Sequence, residues 1–405
     1  MIVLAIFVAL FFAYALVSRP LEKTPVTAPM VFTAAGMLLF PVLTGHIKPL
    51  VNATIFLRIT EIGLVLLLFT DASHTDLKVL RSIRNLPLRL LSTGMLLTLL
   101  FGAVVARLVF RHLSIWEAGI LASILAPTDA GLGQVIVNSP RVPMRIRQAL
   151  NVEAGLNDGL SVPFLLFFMT LAAAKTEGGA ASFLQFIGEQ LGLGAIVGTG
   201  IGLIGGWLLS FAIRRRWIAE GFQQIAMAAL PLLCLFVSEM VGASMFIAAF
   251  VAGLAVQNRL KEAEKHSVDF GQLFNLAVFF LFGMVVVQNR LQFNATAWVY
   301  AVLSLTVVRM LPVAIALKGT RLNWASVVFM GWFGPRGLAS IVLGLVYMEE
   351  ELQLPGEPTI RLAVIATVVL SIFLHGLSAM PGIALYSRRL GALEASAAEH
   401  QEVAS

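Results

Sequence analysis

Charge is scarce in this chain. Only 12% of its 405 residues are Asp, Glu, Lys or Arg, about half the share of a soluble domain. That excludes a soluble body of useful size, and 59% hydrophobic residues point instead to an all-α polytopic membrane protein. Cysteine is nearly absent: Cys234 stands alone, which excludes an intramolecular disulfide and a Cys-based metal cluster. There is no His-Glu zinc motif and no phosphate loop, so metal catalysis and ATP hydrolysis are set aside and no enzyme is expected. A charged n-region is also missing. Residues 1–17 run straight into Ser18-Arg19-Pro20, so they read as a first span and not as a cleavable signal. The net charge of +6 lies in short loops, where membrane topology explains it better than nucleic acid.

Apolar stretches dominate what is present. A span needs roughly 20 apolar residues. Thirteen are expected, at 2–18, 27–45, 53–72, 86–108, 114–138, 149–174, 183–213, 222–240, 243–258, 268–289, 296–317, 324–347 and 361–386. The Ala/Glu-rich tail from Gly391, residues 391–405, is expected to be disordered and cytoplasmic. Alternate loops hold eighteen basic residues on one side against six on the other. Lys/Arg-rich loops face the cytoplasm. The expected N-terminus is therefore outside, the C-terminus is inside, and the acidic run Glu349-Glu350-Glu351 is outside.

Two spans are interrupted at their middles. The fifth carries Ala126-Pro127-Thr128-Asp129-Ala130-Gly131 and the twelfth Gly331-Trp332-Phe333-Gly334-Pro335-Arg336-Gly337. Proline removes a backbone donor, and the flanking glycines permit unwinding. The breaks lie seven spans apart on oppositely directed segments. That fits inverted repeats of spans 1–6 and 8–13 joined by span 7, with a binding site at the midplane. Span 7 presents Gly194, Gly198, Gly202 and Gly206 on one face, read as a packing surface for a long connector.

The sixth span carries two carboxylates and two carboxamides in Asn151-Val152-Glu153-Ala154-Gly155-Leu156-Asn157-Asp158. Ionisable groups at this depth are costly and mark ion or proton paths. Glu153 and Asn157 share a helix face, and Asp158 lies about 100° round, so it can face an aqueous cavity. A buried Arg336 needs a carboxylate; Glu153 is the first choice and Asp129 the second. At each break two half-helices meet, and Asp129 and Arg336 can offset their partial charges. Freed carbonyls near Thr128 can coordinate a monovalent cation. Desolvation favours the protonated form of a carboxylate, so Asp158 can hold either a proton or a cation. That competition is enough to couple two flows. Asn157 cannot titrate, which favours one-for-one, electroneutral exchange.

These three blocks, with their spacing and the thirteen-span layout, resemble the monovalent cation–proton antiporter superfamily, in its NhaP/NHE-like branch. The Asn-Asp pair of span 6 resembles the electroneutral type. The resemblance implies a fold of inverted repeats with two crossed, interrupted helices. It makes Asp158 the ion- and proton-binding carboxylate and Thr128 a backbone cation ligand. Asn157 and Asp129 steady the crossed helices, and Glu153 pairs with Arg336. It also implies a homodimer in the lipid bilayer. A core (about 86–174 and 296–386) moves like an elevator against a dimerisation domain (about 1–72 and 222–289), and helix 183–213 connects them. Na⁺ is the expected cargo, with Li⁺ and K⁺ as alternatives, exchanged for H⁺ with no cofactor. A bacterial or archaeal inner membrane is the expected location, and pH homeostasis the expected role. A cytoplasmic regulatory domain, present in some relatives, is not expected. At one point the chain departs from the pattern: many relatives have Ser after the span-6 Glu, and here the residue is Ala154. The site loses an oxygen, which loosens it toward K⁺.

Other polar residues read as structural. Arg58 and Glu61 are three apart and read as a pair. Ser371 and His375 read as a hydrogen-bonded packing pair. Glu189 and Glu239 are expected to face water. Asp71, His74 and Asp76 read as a solvated loop. Two other functions fit in part: a cation channel through the same breaks, and an intramembrane hydrolase with an Asp129–Asp158 dyad. Such a dyad must share one proton, which a nearby Arg336 opposes.

Overall fold

The computed structural model describes residues 2–21, 24–47, 53–74, 85–177, 180–257, 270–350, 352–391 and 399. Asp76, Glu351 and most of the expected tail lie outside them. The helices are α1 (Ile2–Leu21), α2 (Ala28–Ile47), α3 (Ala53–His74) and α4 (Asn85–Val109). Then come α5 (Ile115–Ile124), α6 (Ala130–Val137), α7 (Met144–Glu177) and α8 (Ala180–Arg214). Next are α9 (Glu220–Val241), α10 (Met245–Gln257), α11 (Phe270–Gln288) and α12 (Ala295–Leu305). The last are α13 (Val307–Ala316), α14 (Trp324–Trp332), α15 (Leu338–Glu349) and α16 (Glu357–Leu390). Among the described residues seven helical stretches are long and apolar enough to cross a membrane, and five shorter apolar helices accompany them. The chain is an all-helical, multi-pass integral membrane protein.

Polar side chains fix where the helices start. Ser114 accepts from the Glu117 N–H at 3.2 Å, and Glu117 accepts from the Ser114 N–H at 2.7 Å. This reciprocal capping satisfies two donors that the first turn would otherwise leave open. Asn294 caps α12 and Asn323 caps α14. Both expected breaks are present: α5 ends and α6 begins around Pro127, and α14 ends and α15 begins around Pro335. The span of α12 and α13 also bends, at Thr306.

The helices pack in two groups. In one, α2 lies against α11, α3 against α10, and α9 against α10. In the other, α4 and α7 flank α5, α12 lies on α16, and α13 on α14. The groups meet along α3, which touches both α7 and α15. The glycine face of α8 is seated on α10: a Cβ at Gly198 would overlap the Ala248 carbonyl, and one at Gly202 the Ala252 carbonyl. Close helix approach in a membrane depends on such small residues. Gly198→Val is expected to destabilise by about 1–3 kcal/mol through overpacking. Gly200 has open space around its Cβ direction, so Gly200→Val serves as the control. Thermal unfolding in detergent measures both, and equal shifts would contradict the seating of α8 on α10.

Of the expected tail beyond Gly391, Glu399 is described, and it is buried, 2% exposed. Its carboxylate accepts from the Asn323 N–H at 2.6 Å and the Ser326 hydroxyl at 2.7 Å. The open N–H groups at the start of α14 supply the reason.

Candidate functional site

The two breaks are hydrogen-bonded to each other. The Asp129 N–H donates to the Pro335 carbonyl at 2.8 Å. In return, Asp129 Oδ2 accepts from the Leu338 N–H at 2.6 Å, while Oδ1 accepts from the Leu132 N–H at 2.9 Å. One carboxylate thus caps two half-helices, α15 and α6, whose N-termini both carry positive partial charge. Gly337 makes this possible, because a Cβ there would overlap the Asp129 carboxylate.

Arg336 sits at the other pole of the crossing. It is fully buried. Its Nη1 donates to the Ala126 carbonyl and, at 3.1 Å, to the Pro127 carbonyl. These carbonyls lie just past the end of α5, where the helix dipole is negative. Its backbone N–H donates to Ser371 Oγ at 2.6 Å. Ser371 Oγ lies 3.0 Å from His375 Nδ1, and His375 Nε2 lies 2.9 Å from the Trp332 carbonyl. The His375 ring therefore braces the second break from behind.

The expected Glu153–Arg336 pair is not formed. Glu153 binds Arg309 of α13 instead, through Nη1–Oε1 at 2.5 Å and Nη2–Oε2 at 2.9 Å. Both side chains are buried. The alternative partner, Asp129, is also not the one, since the two caps occupy it. Carbonyls past the end of α5 supply acceptors for Arg336 Nη1, while Arg309, in the first turn of α13, reaches Glu153 with both Nη atoms. Gly334 gives Arg309 its place: a Cβ there would overlap the Arg309 guanidinium.

On α7, Asn157 is tied to the first break. Its Nδ2 donates to Thr128 Oγ1 at 2.7 Å, and its Oδ1 accepts from the Thr128 N–H at 3.3 Å. Asp158, the next residue, is 3% exposed, and its Oδ1 finds no hydrogen-bond donor among the described residues. Asp129 and Asp71 are its electrostatic neighbours. Two glycines bracket this carboxylate and let the other helix group come close. Gly155 leaves Asp71 of α3 3.4 Å from where its Cβ would be, and Gly159 admits the Phe250 ring of α10. Asp158 therefore lies where the two helix groups meet. A small cavity adjoins the first break, bounded by Thr128, Asp129, Ala154, Pro335, Leu150 and Asn151. Asn151 is exposed, so this cavity points toward the loop end of α7.

Two residues of this site escaped sequence reasoning. Arg309 signalled itself only as a lone arginine in an apolar span. Asp71 is not in a solvated loop: it lies on α3, half-buried against Gly155. Its signal was the apolar run Leu64–Thr70 leading straight into it. Arg58 does pair with Glu61, at 3.0 Å, and also bridges to Glu239 on α9 at 2.6 Å. Glu239 was expected only to face water.

The family described as sodium/hydrogen exchanger, transmembrane, matches residues 6–383. A Na(+)/H(+) antiporter of Schizosaccharomyces pombe is 28% identical over 287 residues, covering 66% of this chain and 60% of that protein. The K(+)/H(+) antiporter NhaP2 of Shewanella oneidensis is 24% identical over 364 residues, covering 86% of this chain and 61% of that protein. The chain thus spans less than two thirds of either relative. The solved structure of the sodium proton antiporter MjNhaP1 from Methanocaldococcus jannaschii at pH 8 superposes with a TM-score of 0.72 at 19% identity. That match covers 93% of this chain and 99% of that one, and it shows a common fold.

Proposed function

Because the chain belongs to the transmembrane sodium/hydrogen exchanger family, we propose that it exchanges a monovalent cation for a proton, with Asp158 as the carrier. One observation carries this reading. Asp158 is a buried carboxylate with an unpartnered oxygen, placed beside two crossed helix breaks. An uncompensated buried carboxylate is very costly. It is relieved by a proton or by a cation, and not by both at once. That exclusion couples the two fluxes.

The neighbours have supporting roles. Asn157 and Asp129 are occupied in holding the breaks, so they fix geometry and carry no cargo. Thr128 offers its carbonyl as a cation ligand. With one carrier carboxylate and a neutral Asn157 beside it, the exchange is electroneutral. The group α4–α7 and α12–α16 moves as the core against α1–α3 and α9–α11, alternating access to Asp158 along α3. The protein works as a homodimer in a bacterial or archaeal inner membrane, with its C-terminus in the cytoplasm. A hydrolytic Asp129–Asp158 dyad fits poorly, because both Asp129 oxygens already accept backbone N–H groups.

Cation-driven proton movement in proteoliposomes tests the function. Na⁺, Li⁺ and K⁺ are titrated in turn, with and without an imposed membrane potential. Proton efflux on adding a cation, indifferent to potential, is the expected result. A cation current without proton movement would favour a channel instead. Na⁺ is the leading cargo. K⁺ is the second reading, favoured by Ala154 at the cavity wall, where a serine would add an oxygen. Ala154→Ser is expected to raise apparent Na⁺ affinity relative to K⁺ by roughly two- to tenfold, the worth of one added polar contact. An unchanged ratio would remove Ala154 from the selectivity argument.

A further inference from the structure

A groove runs between α13 and α14 on the outer surface of the helix group that holds Arg309. It is open to the surroundings, with about 780 Å³ of space including that outside its mouth, and Val307, Met310, Leu311 and Ala314 face Trp324 and Val328 across it. Val307, Leu311 and Trp324 are exposed, as expected of a surface in contact with hydrocarbon. One end of the groove is different. Beyond Ala314 and Trp324 the turn of residues 317–323 joins α13 to α14 and carries Lys318 and Arg321, both exposed. The exposed Arg89 of α4 is fixed beside them, donating to the Ala316 carbonyl at 3.2 Å and the Lys318 carbonyl at 2.7 Å. Among the described residues, Glu399 lies beside this turn and directs its carboxylate onto Asn323 and Ser326.

We propose that this groove holds an acyl chain of one anionic phospholipid, with the phosphate on Lys318 and Arg321. Three features point to this occupant. The trough is apolar along its length and basic at one end. Trp324 stands at the junction of the two, where amphipathic rings sit at the level of lipid headgroups. Basic clusters beside the ends of spans attract anionic headgroups. A hydrocarbon chain alone would match the trough and membrane topology alone the cations, whereas an anionic phospholipid matches both where they adjoin. The orientation proposed above decides only the leaflet, and the lipid's recognition does not depend on it. Neither does it depend on the transport reaction.

Native mass spectrometry of the purified protein tests the proposal. Phosphatidylglycerol or phosphatidylcholine is added to delipidated samples, and retained lipid is counted per chain. One phosphatidylglycerol, held in preference to phosphatidylcholine, is expected. The double variant Lys318→Gln/Arg321→Asn removes the headgroup charges. Asn is the choice at 321 because the backbone there has φ of 62°, which Asn tolerates. Its affinity for phosphatidylglycerol is expected to fall about thirtyfold, the loss of two interfacial cations. Ala314→Trp fills the trough and is expected to abolish retention while both cations remain. Equal retention of the two lipids, or unchanged binding in the double variant, overturns the proposal. Should Ala314→Trp fail to fold, the double variant decides, since both of its positions are exposed.

Discussion

Asp158→Asn is expected to reduce cation-driven proton movement to the level of protein-free vesicles while leaving the protein folded. The expectation rests on what the carboxylate is not doing. Its Oδ1 accepts no hydrogen bond among the described residues, so the amide breaks no such contact. Asp71 and Asp129 are its electrostatic neighbours, and removing one of three acidic groups relieves repulsion between like charges in a site of low dielectric. Thermal stability is therefore expected to stay level or rise. Transport fails for a separate reason: an amide neither titrates nor neutralises a cation. This pairing of lost flux with kept stability separates a carrier from a structural carboxylate, whose loss lowers both. Proton movement persisting in a folded Asp158→Asn protein would reject Asp158 as the carrier. A fall in stability with partial transport would make it part of the scaffold.

Much of this site was legible because its parts are chemically loud. Proline and glycine in the middle of an apolar span announce a break, and an acid or arginine beside each break announces charge that the membrane must accommodate. Thr128, Asp129, Asn157 and Asp158 were found this way, and the structure brings them together around the first break. What stayed hidden was how each charge is satisfied. A backbone carbonyl has no sequence signature, so the two that Arg336 takes at the end of α5 could not be told from the carboxylate it was expected to need. Once Glu153 stood as the first choice for Arg336, and the resemblance implied the same pair, Arg309 had no partner left to suggest it. Asp71 was missed for a different reason. It ends an apolar run close to charged loop residues, and helix ends are where a sequence reads least sharply. The glycines that bring α3 against α7 name no partner of their own, and the contact appears only when both helices are placed.

The Arg309–Glu153 pair carries the largest expected effect on stability. Both side chains are buried, at 4% and 3% exposure, and the contact is bidentate. Desolvating two charges offsets most of what their attraction supplies, so an intact buried pair adds little net stability. Breaking it is another matter. Arg309→Met leaves the Glu153 carboxylate buried without its bidentate partner, with Arg336 as a more distant cation, and Glu153→Leu leaves the Arg309 guanidinium buried without a carboxylate on it. Each is expected to cost about 3–5 kcal/mol. Removing both leaves an apolar contact of similar volume, so Glu153→Leu/Arg309→Met is expected to recover most of the loss. Thermal unfolding of the four proteins in detergent closes the double-mutant cycle, and residues in direct contact should be strongly non-additive. Additive losses would mean that the two side chains do not depend on each other and that each answers to another partner. Transport by the double variant then distinguishes two roles for the pair. If it only holds α7 to α13, flux returns with stability. If its charges also shape the field at Asp158, stability returns and flux does not.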